Sequence, residues 1–170
     1  MKSRVWLCLM VSMTCANASD SRLSVPLIDQ GTGTLYVEGK VGKLEPVRFL
    51  VDTGSSYSTI NQDLLDQLKQ QGEIEFLRSQ AGNLADGTRI SVPLYRLRQL
   101  RIGDSCTIND IEVAVFPNNR RVILGLNVLG RLNPFAVSLH PPQLTLVGCD
   151  LLRKNVSTPP GKPSLAVVPE

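Results

Sequence analysis

The chain has a single histidine among its 170 residues and only four cysteines. Two of those cysteines, Cys8 and Cys15, fall in an N-terminal stretch that reads as a removable leader, leaving His140, Cys106 and Cys149. These three donors cannot assemble a common zinc site, although carboxylate sites for calcium or magnesium do not depend on them. His140 sits in a proline turn with neither a G-x-S-x-G nor a reactive-cysteine context beside it, so a serine or cysteine hydrolase is not indicated. Aromatic residues make up 5% of the chain and no basic patch interleaves with them, which argues against nucleic acid as a partner. The "GTG" at residues 31–33 lacks the third glycine and the helix that a phosphate loop needs. No internal repeat is present, and no cofactor or metal is expected.

At 42% hydrophobic and 19% charged the chain has the composition of one folded globular domain. The opening "MKSRVWLCLMVSMTCANASD" has two cations, an apolar run from Val5 to Ala16 and small residues at Ala16 and Ala18, the pattern of an export signal with an Ala-x-Ala cut site. That run is short for a bilayer, so membrane attachment is expected only if the leader stays uncleaved. Residues 1–18 are read as a signal peptide, 19–30 as an N-terminal extension, 31–150 as the folded domain and 151–170 as a Pro-rich flexible tail. Without residues 1–18 the cations fall from 18 to 16 against 15 anions, and the formal charge from +3 to +1. In an oxidising compartment Cys106 and Cys149 either pair across a long loop or remain two buried thiols.

Most of the remaining sequence alternates with period two, as half-buried strands do. In "GTLYVEGKV" Leu35, Val37 and Val41 share one face, and Val47, Phe49 and Val51 resume the alternation after a turn and run into Asp52. This hairpin delivers an acid at its end. Asn61 is placed to cap a helix over "QDLLDQLKQQ", with Leu64, Leu65 and Leu68 at helical spacing and Gly72 to end it. Arg89 to Ile102 reads as a long strand whose apolar phase changes near Arg98, where a bulge is expected. Ile111, Val113 and Val115 form another strand; "RVILG" and the helical turn "LNVLGRL" follow. Phe135, Val137 and Leu139 then pair with Leu144 and Leu146.

The chemistry concentrates at "FLVDTGSSYSTI", residues 49–60. An acid at the end of a buried run is costly unless something accepts its charge. Gly54 permits a turn that points its N–H back at the Asp52 carboxylate, and the Ser55 hydroxyl is placed to donate to the same group. Thr53 is free to reach into a neighbouring loop. Asp, Thr, Gly and Ser also favour ordinary turns, so D-T-G on its own is a weak signal. A second element, "VILGLNVLGRL" at residues 122–132, strengthens it.

With these two elements the sequence resembles the retropepsin-like aspartic proteases from about Gly33 to Val147, most closely the exported or membrane-anchored bacterial members. The resemblance implies an all-β fold, the retropepsin-like closed acid-protease barrel with one or two short helices. It makes Asp52 catalytic and Thr53, Gly54 and Ser55 its supporting loop. It makes Val122, Ile123, Leu124 and Gly125 the apolar-apolar-Gly strand, and Ala85, Asp86, Gly87 and Thr88 the tip of a flap. It also implies peptide-bond hydrolysis by a pair of aspartates. The sequence holds one D-T-G, so the second Asp52 is expected from a second copy in a two-fold homodimer, with an extended polypeptide as substrate. The expected location is outside the cytoplasm, in the periplasm, or at the membrane if the leader is retained. The competing readings are an exported, non-catalytic binding or scaffolding module on the same barrel and a small ligand-carrying β-barrel, which the helix after Asn61 fits poorly.

Overall fold

A computed structural model describes residues 22–31, 33–83, 87–116 and 121–149. The signal peptide, the tail and the flap residues Ala85 and Asp86 expected from the sequence lie outside the described residues.

The strands follow the period-two pattern. β1 (Leu23–Asp29), β2 (Leu35–Val41) and β3 (Val47–Val51) form an antiparallel meander, with Val37 facing Phe49 and Leu27 facing Val37 across the ladders. Val37 and Phe49 are buried while Glu38 and Arg48 point to solvent, which fixes the register by burying one face. β1 corrects the expected domain boundary: residues 23–29 are no extension, because they pair with β2 on one side and with β10 (Pro142–Leu146) on the other. Val25 and Leu27 are buried in the core, so the domain begins by Leu23.

After β4 (Ser58–Ile60) comes α1 (Gln62–Gln70). The Asn61 side chain accepts the Leu64 N–H at 2.9 Å, satisfying one of the donors that a helix start leaves open. Asp63 in the first turn and Lys69 in the last complement the helix dipole. Leu64, Leu65 and Leu68 are buried against the sheet, and Gly72, at φ +66°, turns the chain out of the helix.

β5 (Ile74–Asn83) and β6 (Arg89–Ile102) form a long hairpin, and β6 pairs onward with β7 (Cys106–Val115). The sequence pattern does not reveal β5, because its register to β6 shifts between Phe76 and Arg78 and breaks the alternation. The apolar phase of β6 does change at Arg98, where Leu97 and Leu100 are both buried and Arg98 and Gln99 exposed. The expected bulge is absent from β6 at that point: Leu97 faces Ile111 and Gln99 faces Asn109 in one unbroken register. The irregularity is on β7 instead, at Asp110, whose φ of +53° is one that a short polar side chain tolerates better than most.

β8 (Ile123–Leu124), α2 (Leu126–Leu129), a 3-10 turn (Gly130–Leu132) and β9 (Phe135–Leu139) precede β10. The strand order is β5-β6-β7-β4-β8-β3-β2-β1-β10-β9. A further β2–β6 pairing, with Gly39 opposite Ile102, closes strands β6, β7, β4, β8, β3 and β2 into a ring around one apolar core. Cys106 and Cys149 are joined in a disulfide that ties the start of β7 to the chain after β10.

Candidate active site

β3 and β4 both lie beside β8, and the chain from Asp52 to Tyr57 arches from one to the other over its end. Leu50 and Val51 pair in parallel with Ile123 and Leu124, and Thr59 pairs with Ile123 from the other side. The Asp52 N–H donates to the Leu124 carbonyl at 3.2 Å, so the acid is fixed at the point where the ladder ends. Its side chain is half-buried.

Within the loop the Gly54 N–H donates to Asp52 Oδ1 at 2.9 Å, a bond that holds the carboxyl group in one orientation. Among the described residues Oδ2 accepts nothing, which leaves it open for a water or a substrate atom. Ser55 behaves differently from the expectation: its hydroxyl donates to the Tyr57 carbonyl at 2.7 Å and not to Asp52. Thr53 is exposed, and among the described residues its hydroxyl makes no hydrogen bond.

The apolar-apolar-Gly segment is the floor of this loop. A Cβ on Gly125 would lie 2.5 Å from the Tyr57 carbonyl oxygen and 2.9 Å from that of Ser55. The φ of Gly125 is −97°, so glycine is needed there for space rather than for backbone freedom. The close approach lets the start of α2 bond to the loop directly, with Leu126 N–H on the Ser55 carbonyl at 2.8 Å and Asn127 N–H on that of Ser56 at 3.1 Å.

Two residues that sequence reasoning missed complete the support. Asn127 Oδ1 accepts the Ser58 N–H at 2.8 Å and the Ser58 hydroxyl at 3.0 Å, while its Nδ2 donates to the Glu112 carbonyl at 2.6 Å. Ser58 Oγ in turn accepts the Gly125 N–H at 3.0 Å. A serine in a hydroxyl-rich run and an asparagine in a short helix carry no sequence signal for this role, since their contact is 69 residues apart in the chain.

The remaining expected residues fall as follows. Gly87, at φ +85°, and Thr88 are exposed in the connection between β5 and β6, so this part of the expected flap is at the tip of the longest hairpin. On that hairpin Arg78 makes a bidentate pair with Glu112 at 2.9 and 2.8 Å, and Gln80 meets the Tyr57 hydroxyl at 3.3 Å. The hydrogen bonds to Arg78 hold the Glu112 carboxyl below its ordinary titration range. No group of three or more His, Cys, Asp or Glu that could hold a metal ion is present among the described residues.

A protein-family model described as Aspartyl protease matches residues 37–128, which takes in both the Asp52 loop and the Gly125 floor beneath it. The chain belongs to the aspartyl protease family. Its fold is retropepsin-like: it matches the crystal structure of a retropepsin-like aspartic protease from Rickettsia conorii with a TM-score of 0.55 and 19% identity, over 74% of this chain and 89% of that one. No curated protein sequence matches it.

Proposed function

We propose that this aspartyl protease is an endopeptidase whose reaction centre forms from Asp52 of two copies related by a two-fold axis. The observation that carries the reading is the Asp52 loop itself, with one carboxylate oxygen bound by Gly54 N–H, the other open, and a Gly125 floor that admits no side chain. Two carboxylates side by side cannot both ionise, so the pair shares one proton and divides the roles of base and acid. The ionised member draws a proton from a water, the water oxygen attacks the peptide carbonyl, and the protonated member donates to the carbonyl oxygen. Collapse of the tetrahedral intermediate then breaks the C–N bond as a proton passes to the leaving amine. The exposed Thr53 hydroxyl is available to bond across the axis, and the β5–β6 hairpin to cover an extended polypeptide.

The chain works outside the cytoplasm in this reading, in the periplasm, or at the membrane if residues 1–18 are retained. The leader pattern of those residues supports export, as does the Cys106–Cys149 disulfide, a bond that persists in oxidising compartments.

The test is to incubate the purified chain and Asp52→Asn with an unfolded protein across a range of pH. The wild type is expected to produce fragments and the variant none, with the same oligomeric mass for both. Identical fragment patterns from the two proteins would remove Asp52 from the chemistry.

A further inference from the structure

Lys40 on β2 and Arg101 on β6 face each other across the pairing that closes the ring. The Gly103 N–H donates to the Glu38 carbonyl and the Gly42 N–H to the Gln99 carbonyl, both at 3.0 Å, in the pairs two residues to either side. Antiparallel strands exchange hydrogen bonds at every second pair, so Lys40–Arg101 is itself a bonding pair, with Cα atoms about 5.5 Å apart. The residues that flank them along each strand, Val41, Leu100 and Ile102, are buried, so the two cationic side chains share the outer face of the sheet. Like charges set directly opposite on one face are destabilising.

The surroundings do not offset that repulsion. The ion pairs among the described residues are Lys43–Glu73, Arg78–Glu112 and Arg96–Glu75, and none includes Lys40 or Arg101. The nearest acid on this face of β2 is Glu38, which sits directly opposite Arg48 on β3, so these four side chains set three cations around one carboxylate. On its other side Arg101 faces Thr107 of β7, a hydroxyl.

Arg101 also carries a second uncompensated group. Among the described residues one buried side-chain nitrogen or oxygen lacks a hydrogen-bond partner, and it is Arg101 Nε. A buried donor of this kind is destabilising until an acceptor reaches it. A repulsive pair and an orphaned donor at one point share one remedy, an anion that accepts from both.

We propose that Lys40 and Arg101 form a binding site for a phosphate-type oxyanion, with the guanidinium turned to present its Nε–H. A tetrahedral oxyanion has acceptors enough for the Lys40 ammonium, the edge of the Arg101 guanidinium and the Thr107 hydroxyl together. A carboxylate, with two oxygens and a single charge, satisfies fewer of them. The two cations are complementary here, since arginine grips phosphate with a planar fork and lysine attracts it as a point charge. Free phosphate and the headgroup of an anionic lipid offer the same chemistry. The register places Lys40 at the turn end of the β2–β3 hairpin, whereas Tyr36 faces Leu50 at the end that leads into Asp52. Occupancy of this site is therefore independent of how Asp52 is paired.

The experiment follows the thermal midpoint and the N–H correlation NMR spectrum of the purified full chain as inorganic phosphate replaces chloride at constant ionic strength. The midpoint is expected to rise and saturate, as binding to the folded state requires. Exclusion of an ion from the protein surface also stabilises, but without a site to fill. The Arg101 Nε–H signal is expected to move with the same half-saturation, and that of Arg89, exposed at the other end of β6, to stay in place. Arg101→Met should lose the saturable rise, and Lys40→Gln should raise the half-saturating concentration about tenfold or more. Vesicles of phosphatidylglycerol in phosphatidylcholine, compared with phosphatidylcholine alone, separate the sources. Phosphate binding without vesicle binding assigns a small soluble phosphate, and vesicle binding lost in the two variants assigns a lipid headgroup. A chain that responds saturably to neither probe overturns the proposal, as does an equal rise with acetate. A folded Arg101→Met protein with the wild-type response also overturns it; if that variant does not fold, an unchanged half-saturation in Lys40→Gln does so.

Discussion

Gly125→Ala adds one methyl group at the point where two backbone segments are closest. The new Cβ meets the Tyr57 carbonyl oxygen at 2.5 Å, its carbon at 2.6 Å and the Ser55 carbonyl oxygen at 2.9 Å, all atoms of the chain that carries Asp52. No side chain can swing away to make room. Restoring ordinary contact near 3.4 Å requires the loop and the floor to part by about 1 Å. That movement lengthens the Leu126–Ser55 and Asn127–Ser56 hydrogen bonds, now 2.8 and 3.1 Å, and carries Asp52 with it. Overpacking of this kind costs about 1–3 kcal/mol, and each kcal/mol lowers the thermal midpoint of a domain this size by about 2–4 °C. The catalytic effect is larger, because a displacement of about 1 Å at a reaction centre costs on the order of a hundredfold in rate. Steady-state cleavage of an unfolded polypeptide, with melting followed by circular dichroism, measures both. Gly130→Ala is the control: it lies five residues on, at φ −64° with nothing within 4 Å of a new Cβ, and is expected to keep full activity and gain a few tenths of a kcal/mol or more. A Gly125→Ala protein with wild-type kcat/KM and an unchanged midpoint would refute the argument that loop and floor are locked together.

Asn127→Ala leaves the Ser58 N–H and the Glu112 carbonyl without their partner, at about 1–3 kcal/mol for each group that stays dry. The urea midpoint should fall with no change in slope, and an unshifted midpoint would mean that water replaces the amide freely. Reduction of the Cys106–Cys149 disulfide, which spans a sequence separation of 43, frees the denatured chain by about 4 kcal/mol in the loop-entropy treatment. Denaturation with and without reductant measures it, and equal midpoints would show that the crosslink constrains nothing. Glu112 titrates lower in the folded state than in the unfolded one, so the contribution of its pair with Arg78 is complete above the ordinary carboxylate range and is lost as pH falls through the lowered value. Glu112→Gln should therefore melt below wild type at neutral pH and together with it in strong acid; a gap that widens on acidification would contradict the sign.

The sequence alone determined those features whose physics is local. Asn61 and the leucines at helical spacing specify α1, because capping and one buried face need only residues within two or three turns. The alternation from Leu35 to Val51 specifies the β2–β3 hairpin and sets Asp52 at its end, and Gly54 returns its N–H to a carboxylate two residues away. Tertiary structure decided whatever depends on a distant neighbour. β1 became part of the sheet only because β2 and β10 flank it, and β5 was hidden by its own register shift. Ser55 found the Tyr57 carbonyl rather than Asp52 once the loop had folded back over Gly125. Ser58 and Asn127 became a single support across 69 residues. An oxygen or an amide in the sequence states only that a hydrogen bond must be made; the path of the backbone chooses with whom.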